Sequence, residues 1–209
     1  MKLTSNSITH GQPIAATYAF AEQDTDEHIR LSDNRNPHLA WDDVPEQSRS
    51  LVLICTDPDV PSSMDDFNQE GRTIASSLPR VDFIHWVMID LPANNGSLAE
   101  GACCDGVTPG GKPSPAGPDG SRQGINDYTG FFAGDKDMGG DYLGYDGPCP
   151  PWNDEIVHHY NFKLYAIDLA KCPVGERFTA ADVLAAIAGH VIAESEITGT
   201  YSLNPEVAA

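Results

Sequence analysis

Leu51-Val52-Leu53-Ile54-Cys55-Thr56-Asp57-Pro58-Asp59-Val60-Pro61 decides the fold class. Its first five residues are apolar on both parities of an extended chain, the pattern of a central strand covered by layers on both faces. The run then stops at an acid followed by proline. Proline fixes φ and restricts the residue before it, so Asp57 is held where the chain must turn.

Two further strands follow from the same reasoning. Phe83 to Leu91 puts His85, Val87, Ile89 and Leu91 on one parity and Ile84, Trp86 and Met88 on the other, and Pro92 ends it. Asn161 to Leu169 alternates, with Phe162, Leu164 and Ala166 together. Extended backward, Tyr160 and His158 fall on the apolar parity and His159 on the polar one. Near the C-terminus Thr179 and Asp182 form a capping pair, and Leu184, Ile187 and Val191 lie on one helical stripe with Gly199 past its end. This spacing predicts a helix over about 180–196. Residues 93–148 are rich in Gly, Pro and Asp and carry neither period. The order of elements predicts a mostly β chain: an antiparallel β-sandwich with a peripheral C-terminal α-helix, in one domain over 1–209.

Composition narrows the function classes. The 209 residues hold 31 acids against 12 bases, a net charge of −19. That field, with no Lys/Arg cluster to offset it, excludes nucleic acid and disfavours anionic membranes. No apolar run is long enough to span a bilayer, so stable membrane insertion is not expected, and residues 1–7 do not read as a secretory signal. Cys55, Cys103, Cys104, Cys149 and Cys172 show no CxxC or metal-finger spacing, which predicts reduced thiols in the cytoplasm; a bridge from Cys103 or Cys104 to Cys149 is the alternative. No metal or cofactor is expected.

Asp57, His85 and His158 each stand at or beside a strand end, and Gly147-Pro148-Cys149-Pro150-Pro151 supplies a stiff loop. Taken singly, Asp57 reads as a turn cap and each histidine as a satisfied core residue. Together, an acid and two inward-facing histidines suit a small cleft for a phosphate-like anion. A carboxylate beside an imidazole favours its charged, donating form. N–H groups near Gly144 and Gly147 are candidate extra donors.

The sequence resembles the phosphatidylethanolamine-binding protein family in its bacterial and archaeal branch, relatives of the Raf kinase inhibitor protein. The resemblance rests on ordered matches along nearly the whole chain. Pro37-x-Leu39-x-Trp41 is followed by Asp57-Pro58-Asp59-Val60-Pro61 and Ile84-His85-Trp86-Val87. Gly124-x-Asn126-Asp127-Tyr128 and Gly144-Tyr145-x-Gly147-Pro148-Cys149-Pro150-Pro151 come next. His158-x-Tyr160-x-Phe162 and Gly189-His190-Val191 complete the series. It implies antiparallel sheets and a pocket of Asp57, Pro61, His85, Gly147, Pro151, His158 and Tyr160. It also implies a non-catalytic protein binding phosphate-type anions such as phosphoethanolamine-like head groups, with regulation of a kinase or protease partner as a further implication. The oligomeric state stays open, a homodimer being one option. His159 replaces the family's usual arginine after the pocket histidine, and Thr129 to Leu143 reads as an acidic insertion.

A small hydrolase using Asp57, His85 and His158 is the rival reading, with Cys149 as an imaginable nucleophile. No basic neighbour or helix N-terminus activates that thiol, and no Gly-x-Ser-x-Gly elbow occurs.

Overall fold

The computed structural model describes residues 1–113 and 115–207. Its strands in chain order are β1 (Lys2–Thr4), β2 (Gln12–Pro13), β3 (Ala21–Asp24), β4 (His28–Leu31), β5 (Leu39–Asp42), β6 (Ser50–Pro61) and β7 (Arg80–Leu91). They continue with β8 (Gly96–Leu98), β9 (Gly111–Lys112), β10 (Arg122–Gln123), β11 (Asp141–Tyr142), β12 (His158–Ile167) and β13 (Val191–Tyr201). Two short helices are α1 (Tyr128–Phe131) and α2 (Ala180–Ala186). The main sheet runs β10-β7-β6-β12-β13-β2 and the smaller one β1-β5-β8. Within the main sheet every pairing is antiparallel except the short β13–β2 contact.

The two apolar parities of β6 are explained by what covers them. Leu51, Leu53 and Cys55 pack with Trp86, Met88, Phe162 and Leu164 against Leu3, Leu39, Trp41 and Leu98 of the smaller sheet. Val52 and Ile54 turn the other way, with Val87, Ile89 and Ile167, onto Phe178, Ala180, Val183 and Ile187 around α2. The molecule is thus a mostly β sandwich with a helix on its outer face. Among the described residues no helix is long and apolar enough to cross a membrane.

The predicted C-terminal helix is real but shorter. Its capping box forms: Asp182 N donates to Thr179 Oγ1 and Thr179 N donates to Asp182 Oδ2. It ends by Ile187, and Gly189 turns the chain away at φ 82°. Residues 191–201 then form β13 on β12, correcting the expectation of helix to about 196. Leu184 of the expected stripe is exposed, while Ala193, Ser195, Ile197 and Gly199 alternate inward against Glu194 and Glu196. The longer, period-2 signal wins because β12 offers a full ladder of partners. The described residues of 93–148 are also folded, holding β8 to β11 and α1. Their backbone bonds run to distant segments, as in Gly124 N to Val87 O and Asn126 N to Tyr142 O, so no local period announces them.

Candidate functional site

Two irregularities in the β6–β7 ladder build the site. Pairing steps from Cys55↔Trp86 to Thr56↔Ile84, leaving His85 as an extra residue, and from Asp57↔Phe83 to Val60↔Val81, leaving an extra residue beyond Asp57. Such bulges re-aim side chains. The first turns His85 away from the Val87/Ile89 face that simple alternation assigns it. Its ring instead lies 5.1 Å from that of Tyr160 and 5.6 Å from that of Tyr128.

A cavity of about 650 Å³ opens beside this ring. Asp57, His85, Tyr160 and Cys149 line it, with Pro61, Pro150 and Pro151 as stiff walls. Met64, Phe67, Val81, Phe83 and Phe131 make the remainder largely apolar. Five of the seven residues predicted for the pocket therefore meet there: Asp57, Pro61, His85, Pro151 and Tyr160.

Gly147 and His158 are not among the lining residues. Gly147 N donates to Asn34 Oδ1, and a side chain at this position would strike the Tyr18 carbonyl, so glycine serves close backbone packing. Gly144 N is likewise spent on Gly124 O, so neither amide is a free anion donor. His158 is completely buried, with Nδ1 on Asp57 Oδ2 at 2.7 Å and Nε2 on Asp154 Oδ2 at 3.1 Å. Arg80 forks onto Asp154 at 2.5 and 3.0 Å. Burial would push the His158 pKa down, but the bonds to Asp154 and Asp57 raise it to about 9. His158 is therefore an imidazolium in a four-membered network of two acids and two cations, with both nitrogens occupied. Asp154, itself desolvated, is still held below its usual range by His158 and Arg80.

His85 is the opposite case. Its Nδ1 lies 2.8 Å from the Asp146 carbonyl, which can only accept, so Nδ1 carries the proton. Its Nε2 makes no hydrogen bond among the described residues. Burial lowers the His85 pKa, against the opposing pull of Asp57, so the ring is neutral at pH 7 and Nε2 is an acceptor. The Asp146 carboxylate that anchors this arrangement accepts from Asn34, Lys112 and Asn126 at 2.7 to 2.8 Å.

Tyr160 carries the third polar group. The residue is 1% exposed, and its hydroxyl lies beside the Asp57 carboxylate with no partner at full hydrogen-bond geometry. Burial and the charge of nearby Asp57 raise its pKa well above the usual value, so it stays a proton donor. A buried hydroxyl left unmet in a cavity wall is costly and calls for an explanation. Cys149, held up at about 12 by burial, is a thiol at neutral pH. His159 is half-exposed and pairs with Asp59, as its polar parity predicts.

Several participants are absent from the sequence reading. Asp146, Asn34, Lys112, Asp154 and Arg80 act from scattered positions that share no local period. Asn126 and Tyr128 stood within a motif already noted, which is the signal that pointed towards them. Tyr128 stacks on Phe20 and donates its hydroxyl to Gly147 O.

The fold is a β-sandwich with a partly polar cavity where the β6–β7 ladder bulges. The sequence model of the phosphatidylethanolamine-binding protein family matches residues 4–202, and the chain belongs to that family. Similar proteins include a UPF0098 protein of Methanothermobacter thermautotrophicus, 35% identical over 81% of this chain and 83% of that protein. UPF0098 protein YbhB of Escherichia coli is 30% identical over 97% of this chain and all of its own length. Among solved structures, Escherichia coli YbcL, titled a new member of the mammalian family, superposes with TM-score 0.67 at 27% identity, covering 96% of this chain and 97% of YbcL.

Proposed function

We propose that the chain is a non-catalytic binding protein whose cavity receives a phosphate-type head group. The free His85 Nε2 carries this reading, with the Tyr160 hydroxyl as a candidate donor on a ring 5.1 Å from that of His85; a ligand hydroxyl or a proton taken up on binding satisfies that nitrogen. A singly protonated phosphate ester offers both an acceptor for Tyr160 and a P–OH donor for Nε2. The Asp57 charge beside them is answered by the His158 imidazolium behind it, so an anion need not face a bare carboxylate there.

The rival hydrolase finds little support. The Cys149 thiol is far from thiolate at neutral pH, and His85 is oriented by a main-chain carbonyl with no carboxylate behind it. Unpaired thiols at all five cysteines support a cytoplasmic setting. A kinase or protease partner rests on the family resemblance alone.

Calorimetric titration with inorganic phosphate and O-phosphoethanolamine tests the reading, with Tyr160→Phe as the control. Binding that weakens in the variant supports it. Absence of binding, or binding indifferent to Tyr160, contradicts it. Turnover of an ester or phosphoester abolished by His85→Ala would favour the hydrolase.

A further inference from the structure

The main sheet is left open along most of one side. β13 is 11 residues long, yet β2 pairs with it only at Gly199 and Thr200. Those contacts fix the way its backbone faces. Thr198 O accepts from Gly11 N, Thr200 O accepts from Ile14 N, and Thr198 N donates to His10 Nδ1, all on the side away from β12. In an antiparallel ladder every second residue directs both its N–H and its C=O to the same side. The N–H and C=O groups of Glu194 and Glu196 therefore point out of the sheet edge. Among the described residues none of these four groups has a hydrogen-bond partner. β1 comes near without closing the edge: Leu3 N donates to the Ser195 hydroxyl, a side chain on the inner face, while β1 pairs as a strand with β5.

A row of unpaired backbone groups is a template for another strand. The side chains decide which strand it suits. Glu194 and Glu196 both stand exposed on the outer face. Lys163 reaches Glu194 at 3.0 Å, and Glu196 forms no ion pair among the described residues. A second copy adding its own β13 antiparallel to this edge would set glutamate against glutamate across the ladder, with a charge of −19 on each copy besides. A strand with lysine or arginine at alternate positions would instead meet an opposite charge at both residues. At the near end of β13, Val191 and Ile192 are exposed and offer an apolar neighbour to the last residue of such a strand. None of these residues lines the cavity.

We propose that the 192–196 edge of β13 is a docking site for an extended segment of a partner protein that carries Lys or Arg at alternate positions and adds as a further strand of the main sheet. Main-chain bonds to Glu194 and Glu196 supply the attachment, and the two carboxylates select a basic strand over an acidic one. The site is independent of whatever the cavity holds.

The full-length chain is titrated with end-blocked peptides of alternating Lys-Val and alternating Glu-Val, by calorimetry and by residue-resolved amide hydrogen exchange. Two further Lys-Val peptides carry backbone N-methyl groups, one at every lysine and the other at every valine. Lys-Val should bind and Glu-Val should not. One N-methylated peptide should bind about tenfold more weakly than the parent while the other matches it, because only one set of N–H groups faces the edge. Loss at the lysines means antiparallel addition, and loss at the valines means parallel addition. The amides of Glu194 and Glu196 should exchange fast in the free protein and slowly with peptide, while those of Ser195 and Ile197 stay slow throughout. Glu196→Lys should weaken Lys-Val binding about threefold. Absence of Lys-Val binding overturns the proposal. So do equal affinities for all three Lys-Val peptides, which would reduce the glutamates to guards of the edge. Protection of Glu194 and Glu196 without peptide, growing with protein concentration, would give the edge to a second copy and overturn it as well.

Discussion

His85 lies within β7 and His158 opens β12, the two strands that flank β6, and Asp57 of β6 influences both, yet they serve opposite ends. His158 has a carboxylate on each nitrogen, carries a proton at neutral pH and joins β12 to Arg80 through Asp154. His85 has one nitrogen on a main-chain carbonyl, is neutral, and leaves the other nitrogen to the cavity. Under the proposed reading, saturation makes a strut and a vacancy makes a receptor. What distinguishes the two is the count of partners, since both rings are buried.

The largest effect expected from this contrast is on stability. His158→Ala should cost about 3–5 kcal/mol, because it leaves Asp57 buried without a counter-charge and Asp154 with Arg80 alone. Urea denaturation is the check, and a loss under 1 kcal/mol would show that the network is not a strut.

The same network fixes a pH dependence. The His158 pKa rises from 6.5 unfolded to about 9 folded, worth on the order of 3 kcal/mol. That contribution is complete below pH 6.5 and is lost as pH rises through about 9. Asp154, depressed below 3.8, acts at the other end: its contribution is present above that value and is lost as pH falls through the folded pKa. His85, with a lowered pKa, opposes His158: stability falls as pH drops below 6.5 towards its folded value. Denaturation midpoints at pH 7 and pH 10 should differ in wild type and converge in His158→Ala. A difference that persists in the variant would assign the pH dependence elsewhere.

Smaller effects sharpen the receptor side. His85→Ala should weaken phosphate-ester binding by about 1.5–3 kcal/mol, the range for a hydrogen bond involving a charged group. Affinity should fall as pH rises, since the anion favours a protonated site, with a midpoint in the free protein below 6.5 because burial lowers the His85 pKa. Tyr160→Phe should lower affinity while raising stability by about 1 kcal/mol, since it deletes an unmet buried hydroxyl. A Tyr160→Phe protein that is less stable would mean the hydroxyl is satisfied in solution. His159→Ala should stay within about 0.5 kcal/mol on both measures, as an exposed pair contributes little.

Much of the frame was legible in the sequence. The doubly apolar run of β6, the alternation of β12 and the Thr179–Asp182 cap are local signals, and each element formed where its signal lay. Parity also separated His158 from His159. It could not show that His158 would be saturated, because Asp154 and Arg80 reach it from a turn and from another strand. Parity misassigned His85 because one extra residue in a ladder inverts the alternation on either side of it. Residues 191–201 were misread since Leu184, Ile187 and Val191 mimic a helical stripe across a left-handed Gly189. The cavity mouth was hidden too: Phe131 sits in the stretch that reads as an acidic insertion.

The division of labour between the two rings is most directly measured by two-dimensional imidazole 15N NMR of the whole protein, from pH 5 to 8, with and without O-phosphoethanolamine. His85 should show a neutral, Nδ1-protonated ring at pH 7 that shifts on ligand addition, while His158 stays doubly protonated and unmoved. A His158 that titrates near 6.5 and responds to ligand, beside a silent His85, would contradict the account.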